Sequence, residues 1–161
     1  MLLYKCENGD EVDIIAHTKA VCERYAHKTH DLRIYVGCDS QNGRKMRKGS
    51  STTVYATVVA FRYGARGAHF IYTRERVKKI KDRYIRLWGE VERSLEVAKL
   101  LKENGINVFR VDLDFNEKEI ARSSDMVKAA KGYIIGHGFD CEVKPEMLIA
   151  AKAADHLVRK K

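Results

Sequence analysis

Two runs of β-branched and aromatic residues, "TTVYATVVAFRY" and "AHFIYTRERV", stand almost end to end with "GARG" between them. Such runs favour extended backbone, and a short glycine-bearing connection turns the chain back beside itself. A third strand, Ile34 to Asp39, precedes them in "IYVGCDSQ". Three successive strands joined by tight connections form an antiparallel meander. The connection between the first two, "SQNGRKMRKGSS", combines an Asn-Gly turn with four basic residues, Arg44, Lys45, Arg47 and Lys48.

After the meander the hydrophobic period changes from two to about 3.6. Between Lys79 and Glu103, residues Ile80, Tyr84, Leu87, Val91, Leu95 and Ala98 recur at helical spacing, and "ENG" closes the helix. "INVFRVDLDF" then reads as a strand, "SSDMVKAAKGYIIGHG" as a helix capped by Ser123 or Ser124, and "DCEVK" as a short strand. Pro145 suits a first helical turn and opens a last helix. Strands that alternate with helices pair in parallel. The expectation is an α/β fold, one domain over residues 1–161, whose mixed sheet has about five strands, three antiparallel and then parallel ones, flanked by helices. Ahead of it "MLLYKCENGDEV" forms a short arm and Asn-Gly turn, and "DIIAHTKAVCERYAHK" a helical preface.

The composition excludes some classes and favours others. No apolar run approaches the ~20 residues of a membrane span, and no signal-peptide pattern opens the chain. Cys6, Cys22, Cys38 and Cys141 are scattered with no close pair, which predicts reduced thiols in a cytoplasmic protein. The net charge of +9, from 31 Lys+Arg against 22 Asp+Glu, favours polyanions as partners, nucleic acid first.

Against that background the acidic residues draw interest. In "VFRVDLDF", strand alternation puts Val108, Arg110, Asp112 and Asp114 on one face. Both acids then stand at the carboxyl end of a central strand, the edge where open α/β sheets bind ligands. The plain alternative is strand-end solvation and helix capping. In the last helix Asp155 lies beside Ala151 and Val158 within the apolar stripe. A buried carboxylate there needs either a cationic neighbour, Arg159 or Lys152, or a bound cation. Glu90 sits at the edge of the long helix's apolar arc, where Arg86 and Arg93 are within pairing distance along the helix. If these acids and Asp39 converge, only hard divalent cations such as Mg²⁺ or Mn²⁺ relieve their repulsion with oxygen ligands alone.

The pieces "IYVGCDSQ", "RLWGEVERSLEVAKLL", "VDLDFN", the Ser of "RSS", "GYIIGHGFDCEVKP" and "AAKAADHLV" resemble, in order and over nearly the whole chain, the YkuK family of ribonuclease H-like proteins. The resemblance implies a ribonuclease H-like sheet. It also implies a catalytic and metal-binding set of Asp39, Glu90, Asp114 and Asp155 around two Mg²⁺ or Mn²⁺ ions. The family commonly has His in the place of Asp112. Asp114 is therefore the better match for the strand acid, and Asp112 is left as a further candidate ligand.

The remaining candidates are substrate contacts. Gln41 shares Asp39's face, Ser40 adjoins it, Lys144 precedes Pro145, and Arg44, Lys45, Arg47 and Lys48 form a basic tip able to hold a phosphate backbone. The leading expectation is a metal-dependent nuclease acting on RNA, DNA or a hybrid. The alternatives are a non-catalytic nucleic-acid-binding domain of the same fold and a metal-dependent enzyme on a small phosphorylated substrate.

Overall fold

The computed structural model describes residues 3–26, 32–43, 52–64, 67–115, 124–143 and 149–159. The predicted meander is present. It consists of β3 (Leu32–Asn42), β4 (Thr52–Tyr63) and β5 (Ala68–Lys78), paired antiparallel in sequence order. β6 (Arg110–Leu113) pairs parallel with β3, and β7 (Cys141–Val143) parallel with β6. The sheet is wider than predicted. The N-terminal arm folds into a hairpin, β1 (Leu3–Cys6) and β2 (Glu11–Asp13), which docks β1 on β5 and gives seven strands among the described residues, in the order β2-β1-β5-β4-β3-β6-β7. Its turn depends on Gly9 at φ +95°, a conformation costly for any residue with a Cβ.

The helices are α1 (Ile14–Tyr25), α2 (Arg83–Glu103), α3 (Ser124–Gly136) and α4 (Ala150–Arg159). Asp13 caps α1 by accepting from the Ile15 and Ala16 amides at 3.1 and 2.9 Å. α2 starts at Arg83, not at Lys79, because Asp82 caps it by accepting from the Ile85 amide at 3.0 Å. The preceding Ile80 has the helical period in its side chain, yet its backbone belongs to the sheet. Its N–H donates to Thr53 Oγ1 at 2.9 Å, and its carbonyl accepts from Asn42 Nδ2 at 3.1 Å. α2 ends in a Schellman turn: Gly105 adopts φ +77°, its N–H donates to the Lys102 carbonyl, and the Ile106 N–H to Leu101.

Strand alternation divides the interior into two cores. Ile34, Val36, Val59, Phe61 and Ile71 face α1, α2 and α3. Tyr35, Ala56, Val58 and Ala60 face α4, which buries Ala150, Ala154, Leu157 and Val158 against them. The described stripe of α4 runs through Ala150, Ala154, Leu157 and Val158. The described part of α4 begins at Ala150, and the expected opening at Pro145 lies outside the described residues.

Candidate acidic site at the edge of the sheet

Asp39 lies near the C-terminal end of β3, on the α4 face that it shares with Tyr35. Gly37 pairs with Asp112 and Cys38 with Leu113, so extending the register by one residue sets Asp114 beside Asp39 just past the end of β6. Asp155 arrives on the same face from α4. The Asp39 carboxyl registers all of this. Its pKa is pushed up from 3.8 to about 7, chiefly by burial. The backbone N–H of Ser40 opposes the rise, the carboxylates of Asp114 and Asp155 add to it, and the Arg86 guanidinium opposes it again.

Glu90 is brought to the opposite side of β3. Ser40, one residue on from Asp39, points toward α2, and its hydroxyl donates to Glu90 Oε1. Arg86 stands 3.8 Å from the same Glu90 oxygen, and its Nη1 donates to the Ser40 carbonyl and hydroxyl, both at 2.8 Å. Ser94 donates to the Glu90 carbonyl at 2.8 Å. Glu90 is only 2% exposed, so it is no surface ion pair, and Arg93 pairs instead with Glu75 at 2.7 Å. Arg86 ties the start of α2 to the end of β3 and acts on Asp39 as well. Its sequence signal, the i,i+4 spacing to Glu90, looks the same as that of an ordinary surface pair.

Asp112 is fully buried and engaged at both oxygens. Oδ1 accepts from Arg110 Nε at 2.8 Å, and Oδ2 accepts from the Ile149 and Ala150 amides at 2.7 and 3.1 Å. It caps α4 from a strand 37 residues away in sequence. Burial raises its pKa, against the pull of Arg110 and the two amides. Gln41 is exposed on Asp39's face, and Ser40 is buried against Glu90. Arg44, Lys45, Arg47, Lys48 and Lys144 lie outside the described residues.

The family model for ribonuclease H-like proteins matches residues 14–159. The chain belongs to the ribonuclease H-like family. No curated protein and no solved structure matches it. The ribonuclease H-like sheet is as expected, with the N-terminal hairpin added at its far edge.

Two further observations bear on chemistry. The side chains of Asp39, Asp114 and Asp155 offer oxygen atoms alone, the donor type that hard divalent cations prefer. Among the described residues, however, no three His, Cys, Asp or Glu side chains stand close enough together to hold a metal ion. The acids feel one another without meeting at one point. A cavity of about 600 Å³ lined by Tyr4, Ile14, Thr57, Thr73, Arg93 and Val97 contains none of these acids. The four cysteines are free, and no described helix is long and apolar enough to cross a membrane.

Proposed function

We propose that this ribonuclease H-like protein is a divalent-metal-dependent nuclease, with Asp39, Asp114 and Asp155 as the groups that hold Mg²⁺ or Mn²⁺. The observation that carries the reading is the Asp39 carboxyl, pushed up to about 7 by burial and by two neighbouring carboxylates. A site that makes its own acid reluctant to ionise is one where a cation gains most by binding. When bound, such ions supply an activated water and neutralise the developing charge on a scissile phosphate. The protein's own residues do the placing. Arg86, Ser40 and Glu90 lock the end of β3, and so fix the backbone that carries Asp39. Glu90 is a positioning residue in this reading. Asp112 positions α4, and with it Asp155. Hydrolysis joins a water oxygen to phosphorus and breaks the bond to a sugar oxygen, which leaves with a proton. The net charge of +9 favours a nucleic acid as substrate.

A second reading, a nucleic-acid-binding domain without catalysis, is favoured by one observation: no three ligating side chains converge among the described residues. Calorimetric titration with Mn²⁺ separates the two. The nuclease reading expects stoichiometric uptake that Asp39→Asn abolishes, together with Mn²⁺-dependent cleavage of labelled single-stranded, duplex or hybrid substrates that Asp114→Asn abolishes. Uptake that is absent, or unchanged by Asp39→Asn, leaves the binding domain.

A further inference from the structure

The register of the meander places a set of cations that sequence alone does not single out. Asp39 pairs with Ala56, and Ala56 pairs with Arg74 on β5, so the three residues form one row across the sheet on one face. The next rows are Gln41, Val54 and Arg76, then Thr52 and Lys78. Arg74, Arg76 and Lys78 are exposed and lie on the face that carries Asp39. Strands lie about 4.8 Å apart, so the Arg74 backbone stands roughly 10 Å from that of Asp39. Alternate residues along β5 are about 6.8 Å apart, close to the spacing of neighbouring phosphates in a nucleotide chain.

The one acid in β5 lies outside this row. Glu75 falls on the opposite face, where Arg93 holds it through bonds of 2.7 and 2.8 Å. Alternation thus sends the strand's negative charge to the α2 side and its three positive charges to the side of the acidic site. Arg74, Arg76 and Lys78 all sit in the ladder with β4. Cations mounted on a strand hold their spacing better than those on a loop.

We infer that Arg74, Arg76 and Lys78 form a track that holds a nucleic-acid backbone and leads it to Asp39. The contacts are to phosphates, so binding is independent of sequence and falls with salt. The inference deepens the proposed function, which supplies the polymer, but needs neither metal nor hydrolysis. The test is therefore run in EDTA. Fluorescence anisotropy with short fluorescein-labelled single-stranded and duplex oligonucleotides is measured across a salt series. The proteins are the parent, Arg74→Ala/Arg76→Ala/Lys78→Ala, and a triple of equal charge change elsewhere, Lys19→Ala/Lys99→Ala/Lys128→Ala, each confirmed folded by its melt.

The track triple should weaken binding by at least about tenfold at moderate salt and flatten the salt slope by about 2 for a single strand, while the control triple stays near the parent. Equal losses in both triples, or no binding by the parent, overturn the track. So does a track triple that loses only its affinity for phosphatidylserine vesicles, since that marks a lipid surface. Intact, track-dependent binding without Mn²⁺-dependent cleavage would instead sink the nuclease reading and leave the track standing.

Discussion

The Asp39 site makes a prediction about stability that needs no substrate. The folded carboxyl gives up its proton near pH 7, the unfolded one near 3.8. Between those values the folded chain binds more protons, so stability falls as pH rises and the whole penalty is present above pH 7. The pH window follows from the shift being upward, the reverse of a salt-bridged carboxylate. About three units at 1.36 kcal/mol each set an upper figure of roughly 4 kcal/mol at pH 8. Asn keeps the size and polarity of the side chain but not the charge. Since its amide still needs desolvation, Asp39→Asn should recover about half, ~2 kcal/mol. In a domain of this size that raises the melting temperature by about 4–8 °C. Calorimetric melts in EDTA at pH 8 and pH 5 provide the measurement. At pH 5 the carboxyl's own penalty falls to roughly 1.7 kcal/mol while the amide's desolvation cost is unchanged, so the gap between variant and parent should vanish or slightly reverse. An Asn variant that melts no higher than the parent at pH 8, or with the same gap at both pH values, would refute the reasoning.

Three other outcomes follow from the same geometry. Gly89→Ala should destabilise by ~1–3 kcal/mol in urea melts although alanine favours helix, because the new Cβ would stand 2.6 Å from Tyr55 Oη in a buried side chain held by the Arg86 carbonyl and the Arg93 guanidinium. Asp112→Ala should cost ~3 kcal/mol or more by uncapping α4 and removing the buried ion pair with Arg110, and hydrogen exchange should accelerate at the Ile149 and Ala150 amides before the global transition. His17 and His69 are lowered first by burial, so unfolded chains take up protons before folded ones as pH drops below about 6.5, and this part of stability is lost on acidification. His17→Phe should then gain on the parent between pH 7 and 5.5 in paired melts.

Much of the fold was legible in the side-chain period. β4 spans the predicted residues end to end, because "TTVYATVVAFRY" has two faces that both need burial. Where the boundaries moved, backbone bonds decided them. Ile80 fits a helical stripe, yet its amide and carbonyl are taken by Thr53 and Asn42. The first described amides of the last helix, those of Ile149 and Ala150, are held by Asp112 from the sheet, a bond no side-chain period reveals. Ile106 and Val108 are buried like strand residues but lie outside the ladder, and β6 keeps only four residues. Periodicity reads side chains and has no access to such bonds.

The candidate site divides along the same line. Which acid of "DLD" caps a helix and which joins the site depends on contacts 37 residues away, so the pair was legible and the assignment was not. Glu90 is different, because its placement could have been reached from parity alone. If Asp39 faces α4, then Ser40 faces α2, and an acid on α2 beside Ser40 begins on the far side of β3. The same two-residue rule turns Glu75 toward Arg93 and leaves Arg74, Arg76 and Lys78 on the face of Asp39. One period therefore sets three properties of this edge of the sheet: which acids repel one another, which acid a hydroxyl and a guanidinium hold away from them, and why positive charge lies next to a carboxyl that resists ionising. Shifting β5 by one residue against β4 would exchange the last arrangement for its opposite, with Glu75 on the face of Asp39 and the cations on the α2 side, so the charge pattern of this face depends on strand register.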